Sequence, residues 1–230
     1  MLRSRLCVFD AYGTLFDVAG AAREAAQEPG RAALKEHWPR LSELWRRKQL
    51  EYTWIRAVTG VHVDFWDVTC DALDYAMETL GLDDRDLRLR LRELYLKLPP
   101  YPEVESMLRR LKEAEHKTAI LSNGSPDMLG GALRASGLTG LFDKVISVEE
   151  AGVFKPARAV YDLVGAHFGV ESPGEVLFVS SNYWDAASAT AYGFHTMWVN
   201  RDGAPADRIP REPRHVAKSL AAVPAIAATL

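Results

Sequence analysis

Largely apolar runs of four residues, each ending in a polar cluster, recur along the chain. Leu6 to Phe9 ends in Asp10, with Gly13 and Thr14 following; Thr118 to Leu121 precedes Ser122-Asn-Gly-Ser-Pro126; Val145 to Val148 precedes Glu149. Val176 to Val179 precedes Ser180-Ser-Asn182, and Thr196 to Val199 precedes Asn200-Arg-Asp-Gly203. Short apolar runs bounded by turn residues predict buried strands that open into loops, five in all. Between them, Glu103 to Ala114, Asp127 to Ser136, Ala157 to Phe168 and Trp184 to Tyr192 have the period and length of crossover helices. Strand alternating with helix predicts an α/β fold: a doubly wound parallel sheet covered on both faces. Ligands on such sheets bind beyond the carboxyl ends of the strands. Asp10, Ser122 with Asn123, and Ser180 to Asn182 all fall there.

The interval 17–97 breaks this alternation. It offers no convincing strand, which predicts a helical cap domain inserted into a core made of 1–16 and 98–230. Leu41, Leu44, Trp45, Tyr52 and Ile55 mark one face of a long helix, and Trp66 to Leu80 forms another. In Asp84 to Lys97, Leu87, Leu89 and Leu91 alternate with Arg as a strand would. Helix is favoured by length, by Leu/Arg/Glu propensity, and by Leu87, Leu91, Leu94 and Leu98 sharing a face. Pro and Arg accumulate from Ala204 to Arg214, an irregular surface loop, and Ala221 to Leu230 reads as a terminal helix.

Composition narrows the functions available. At 230 residues and 48% hydrophobic, the chain can bury about 70% of its unfolded surface and needs no disulfide or structural metal to fold. A formal charge of −3 argues against a nucleic-acid or membrane partner but permits a small anionic substrate in a local basic pocket. Cys7 and Cys70 lack metal or CxxC spacing and read as reduced thiols. The run before Asp10 is too short for a signal-peptide core, and no stretch reaches the ~18 apolar residues of a membrane span. The expectation is a cytoplasmic protein.

Asp10 ends a buried strand, where a carboxylate is costly without partners. Phe9-Asp-Ala-Tyr-Gly-Thr-Leu-Phe-Asp17, then Leu121-Ser-Asn-Gly124, Phe154-Lys-Pro156, and Phe178-Val-Ser-Ser-Asn182 with Asp185 follow in order at strand ends. This series resembles the haloacid dehalogenase superfamily. The first motif, Val179-Ser-Ser-Asn182 and Leu-Trp-Arg-x-Lys-Gln-Leu-Glu-Tyr from Leu44 to Tyr52 resemble its L-2-haloacid dehalogenase branch, over about residues 5–202.

The resemblance implies hydrolytic conversion of (S)-2-haloalkanoic acids to (R)-2-hydroxyalkanoic acids through an aspartyl ester, with no cofactor and a homodimeric enzyme. Phosphatase relatives carry Asp-x-Asp and a further acidic pair for magnesium. Here Tyr12 takes the second Asp and Ser181-Asn182 stand where the acidic cluster would, so too few hard oxygen ligands remain for an octahedral cation. A magnesium-dependent small-molecule phosphatase is the alternative, and Tyr12 speaks against it.

An Asp carboxylate is ionised at neutral pH and needs no base to attack carbon, but burying it calls for a nearby cation. The resemblance implies Lys155 for that cation, with Thr14 and Tyr161 orienting the pair. Arg46 and Asn123 are implied for the leaving halide, whose charge appears in the transition state. Ser122 and the backbone N–H groups near Ala11 and Tyr12 are candidates for the substrate carboxylate; Tyr12, Phe65 and Trp184 for the apolar wall. For hydrolysis of the ester, Ser180, Asn182 and Asp185 form the water cluster, with Asp185 either the base or the group that holds Lys155. Arg47, where the family usually has Gln, is expected to narrow or recharge the pocket, and Ser188, in place of a common Gly, to shift its helix. His195 is expected to be a packed strand-end residue.

Overall fold

The computed structural model describes residues 5–230; the part of the predicted core over residues 1–4 lies outside the described residues. One six-stranded parallel sheet organises it, in the order β3-β2-β1-β4-β5-β6. The strands are β1 (Leu6–Phe9), β2 (Lys117–Ser122), β3 (Lys144–Ser147), β4 (Val176–Ser180), β5 (His195–Val199) and β6 (His215–Ala217). β1 lies between β2 and β4, with Phe9 in register with Ile120 and Val179. Its run is buried on both faces, which is why it shows no alternation. The crossover helices are α5 (Val104–Glu113), α6 (Pro126–Ala135), α7 (Arg158–Phe168) and α8 (Tyr183–Tyr192).

The expected five strands become six. β6 spans three residues whose middle one, Val216, is exposed, so it carries no apolar run to find. β3 forms the opposite edge, and its Lys144 and Val145 are exposed. The end of the chain is a 3₁₀ turn followed by the short helix α9 (Val223–Ala227), because Pro224 fits only a first helical turn.

Between β1 and α5 lie four helices: α1 (Gly20–Ala25), α2 (Ala32–Thr59), α3 (Phe65–Thr79) and α4 (Arg85–Tyr95). Their start signals are legible. Asp64 accepts Trp66 N–H at 2.6 Å, Asp84 accepts Leu87 N–H at 2.8 Å, and Gly60 ends α2 in the left-handed region. The two ends of this helical stretch are pinned together: Asp17 N–H donates to the Pro99 carbonyl and Tyr101 N–H to that of Leu15, each at 2.9 Å. Gly20 lies so close to Pro99 that a Cβ would stand 2.8 Å from its Cδ.

Leu41, Leu44 and Trp45 are buried, as the face of α2 predicts, but Ile55 is 52% exposed. The buried stripe advances in steps of four, Leu41, Trp45, Gln49 and Thr53, and so drifts around the helix and leaves Ile55 outside. α4 is helical, with Leu87, Leu91 and Leu94 buried and Leu89 exposed. The loop between α2 and α3 meets the segment after β3 through His62 Nε2 and Glu149 Oε2, 2.9 Å apart, with the His62 ring against Phe154.

Candidate active site

The carboxyl ends of β1, β2 and β4 meet under α2, and each contributes polar groups. Asp10 follows β1 and is held from three sides. Its Oδ2 accepts Thr14 Oγ1 at 2.8 Å and Asn182 Nδ2 at 2.9 Å, while Oδ1 faces Lys155 Nζ at 3.2 Å. Gly13, with φ of +87°, lets the chain turn after Tyr12 so that Thr14 comes back to Asp10. The Ala11 carbonyl secures that turn by accepting the N–H groups of Thr14, Leu15 and Phe16.

Lys155 is 1% exposed, the condition under which an ammonium needs partners. Its second carboxylate is Asp185 Oδ2, at 2.8 Å, and its Nζ lies 4.9 Å from the Phe178 ring centroid. The other Asp185 oxygen accepts Tyr161 Oη at 2.8 Å. Burial pushes the Asp185 carboxyl up, opposed by the charge of Lys155. Its place in the first turn of α8 favours negative charge there. Burial also holds the Tyr12 and Tyr161 phenols well above their ordinary range, so both stay neutral.

Asp10, Ser122, Asn123, Lys155 and Asn182 form the polar floor of a closed chamber whose walls are Tyr12, Leu50, Phe65 and Trp184, with Arg46 above. Its free volume is about 10 Å³, room for one water-sized sphere, so a larger ligand enters only when the walls move. Asn123 Oδ1 accepts Lys155 N–H at 3.0 Å, which fixes the direction of the amide and leaves its NH₂ to serve a ligand. Ser122 Oγ accepts Gly124 N–H at 3.1 Å and keeps its proton to donate. Gly124 must be glycine, since a Cβ would stand 2.6 Å from the Tyr12 ring. Arg46 reaches in from α2 and donates to the Tyr12 carbonyl at 3.1 Å and Asn182 Oδ1 at 3.3 Å. Ser180 Oγ accepts Asn182 N–H at 3.1 Å and fixes that loop.

All the candidate residues therefore lie in or against one site. Asp185 does not line the chamber; both its oxygens are engaged and it is wholly buried, an arrangement that fits the second of its two expected roles, holding Lys155. Arg47 is exposed and faces an outer groove with Glu43 and Trp54, so it neither narrows nor recharges the chamber. Ser188 folds its hydroxyl back onto the Trp184 carbonyl at 2.7 Å within an unbroken α8. His195 begins β5, at the sheet end opposite the site, and burial lowers its pKa. The sequence does not mark out Leu50 in the chamber wall, the bond from Ser181 N–H to Thr14 Oγ1 at 2.8 Å, or the buried pair Gln49 and Tyr95 behind Arg46.

The donor set does not suit a magnesium ion. Two carboxylates converge on an ammonium and an amide stands beside them, whereas a hard divalent cation wants several free oxygens and is repelled by the ammonium. Among the described residues no group of three or more His, Cys, Asp or Glu is placed to hold a metal ion.

The profile of the haloacid dehalogenase-like hydrolases matches residues 5–193, and the chain belongs to that family. A relative from Pseudomonas sp. (strain CBS-3), (S)-2-haloacid dehalogenase 1, is 46% identical over 221 residues, 96% of this chain and 95% of its own. The crystal structure of an L-2-haloacid dehalogenase matches with a TM-score of 0.90 at 41% identity, covering 97% of this chain and 98% of the other. That of the Xanthobacter autotrophicus L-2-haloacid dehalogenase with chloropropionic acid covalently bound gives 0.85 at 38% identity, covering 97% and 98%. These relatives place the chain in the L-2-haloacid dehalogenase branch.

Proposed function

We propose that this protein hydrolyses the carbon–halide bond of (S)-2-haloalkanoic acids and yields (R)-2-hydroxyalkanoic acids. The observation that carries this reading is the buried Asp10–Lys155–Asp185 cluster, with the Asn182 amide rather than a further carboxylate beside Asp10. Asp10 Oδ1 attacks carbon 2 from the side opposite the halogen; the new C–O bond forms as the C–halogen bond breaks, and the halide leaves with the bonding pair. Fixed near-attack geometry and exclusion of water supply much of the rate. Water then attacks the acyl carbon of the Asp10 ester, which returns the carboxylate, frees the hydroxy acid and releases one proton. The stereocentre is inverted once, because the second step leaves it untouched.

Ser122 Oγ and the Ala11 and Tyr12 backbone N–H groups hold the substrate carboxylate, while Arg46 and the Asn123 NH₂ meet the halide. Tyr12, Phe65 and Trp184 enclose the alkyl group. The double engagement of Asp185 supports the holding role: it fixes Lys155, with Tyr161 behind it, and accepts the water's proton by way of that ammonium. Ser180 and Asn182 place the water. Residues 17–97 act as a cap over a core of 1–16 and 98–230; the reading rests on the pinned neck and on Arg46, which comes from the insert.

Chloride release from (S)-2-chloropropionate, and not from its (R) enantiomer, is expected to continue undiminished in EDTA. Activity that vanished with chelator, or magnesium-dependent phosphate release from an aryl phosphate, would favour the phosphatase reading instead.

The working form proposed is a cytoplasmic homodimer. No helix among the described residues is long and apolar enough to cross a membrane, and Cys7 and Cys70 are free thiols. Trp54, Ile55 and Val58 leave an apolar stripe on the outer face of α2, at 38%, 52% and 89% exposure, which a second copy would cover. Sedimentation equilibrium is expected to give twice the chain mass, and a monomer at every concentration would refute it.

A further inference from the structure

Gln49 is polar, wholly buried and unused in the chemistry above. It sits on α2 one turn beyond Arg46, and its Oε1 accepts Arg46 Nη1 at 2.7 Å. Its Nε2 donates to Thr69 Oγ1 at 2.7 Å, and the Thr69 hydroxyl proton goes to the Phe65 carbonyl, also at 2.7 Å. These partners fix the amide's direction. A guanidinium can only donate, and the Thr69 proton is already spent, so Gln49 must turn its oxygen to Arg46 and its NH₂ to Thr69. Tyr95 Oη closes the network at 3.0 Å from Nε2 and 3.2 Å from Oε1. The Tyr95 ring is held in turn against Tyr12, with centroids 5.7 Å apart and planes 12° apart, and against Trp45 at 4.8 Å.

Arg46 is thus gripped from behind by one amide and in front by the Tyr12 carbonyl and Asn182 Oδ1. Every one of these acceptors is neutral. A glutamate at position 49 would grip as firmly but would cancel the charge, while an apolar residue would spare the charge and release a rotamer-rich side chain. We infer that Gln49 is a positioning residue: it aims the Arg46 guanidinium into the Asp10 chamber without neutralising it, so that the full cation meets the departing halide. This rests on the halide role given to Arg46 above.

The test compares kcat/KM for (S)-2-chloropropionate and (S)-2-bromopropionate in the wild type, Gln49→Glu and Gln49→Met. Chloride is the poorer leaving group and depends more on stabilisation as it departs. Both variants are expected to lose about 10²-fold with the chloro acid, the scale of a small misplacement at a reacting centre. The loss with the bromo acid is smaller, so the bromide-to-chloride ratio rises about tenfold. Because both rates come from one preparation, the ratio is independent of the folded fraction, and a general loss of structure leaves it unchanged. Bromide-ion binding followed by tryptophan fluorescence gives a reading that needs no turnover: the Kd is expected to rise about tenfold in Gln49→Glu as the cation is cancelled. An active wild type, with unchanged ratio in both variants and unchanged bromide Kd, would overturn the Gln49 proposal alone. A wild type that released halide from neither acid would overturn the functional reading beneath it.

Discussion

Asp10→Asn is expected to abolish halide release, with a loss on the order of 10⁴–10⁶-fold, the range seen when a covalent nucleophile is removed. The amide keeps the size and shape of the carboxylate, so Thr14 Oγ1 can still donate to its remaining oxygen. What it lacks is the negative charge and the lone pair that attack carbon 2. Folding should survive, because the substitution removes one of two carboxylates that share a single ammonium and so relieves like-charge repulsion. Thermal unfolding at or above the wild-type temperature, together with absent halide release, is the expected pair of results. Substantial turnover by a variant verified by mass as Asn at position 10 would remove the nucleophile from the mechanism.

Lys155→Met should damage both activity and stability, and for one reason. The ammonium is 1% exposed and its two carboxylates are nearly as buried, so removing it leaves uncompensated charge in a dry site. Breaking such a pair costs about 3–5 kcal/mol. Methionine preserves most of the volume and the contact with the Phe178 ring, which separates the charge effect from packing. Two carboxylates with no cation between them cannot both stay ionised, and Asp10 also loses the ammonium that holds its Oδ1 in place for attack. Halide release is expected to fall by about 10³-fold, the scale of one lost preorganised charge contact, and the unfolding midpoint to drop with it. Wild-type stability in this variant would mean that Lys155 is not the counter-ion of the cluster.

Much of the scaffold was legible because buried parallel strands are written as unbroken apolar runs. β1, β2, β4 and β5 each coincide with such a run to within a residue or two at each end. β6 was not legible: three residues with an exposed centre, set after a Pro- and Arg-rich loop, leave no hydrophobic signature. α1 is not legible because it is only six residues long, half of them alanine, and shows no period. Ile55 was misplaced since a fixed helical face ignores the drift of a stripe that steps by four.

The site is a different matter. Asp10 and Lys155 lie 145 positions apart, and Lys155 and Asp185 another 30, so no spacing rule joins them; only the ordered motifs of a known family did. Gln49 stood inside one of those motifs and still passed unremarked, because a glutamine on a helix reads as a solvent-facing residue. Its position on the buried stripe, between Trp45 and Thr53, was the available signal. The wholly buried state of Asp185 and the outward turn of Arg47 depend on side-chain packing that a single sequence does not carry.

Isotope placement tests the covalent route most directly. One turnover of (S)-2-chloropropionate with excess enzyme in ¹⁸O-water is followed by digestion and mass analysis of the peptide that contains Asp10. Attack of water on the ester carbonyl deposits the heavy oxygen in the Asp10 carboxylate and leaves the hydroxy acid unlabelled. Heavy oxygen found only in the product hydroxyl would mean that water displaced the halide itself, and would contradict the nucleophilic role of Asp10.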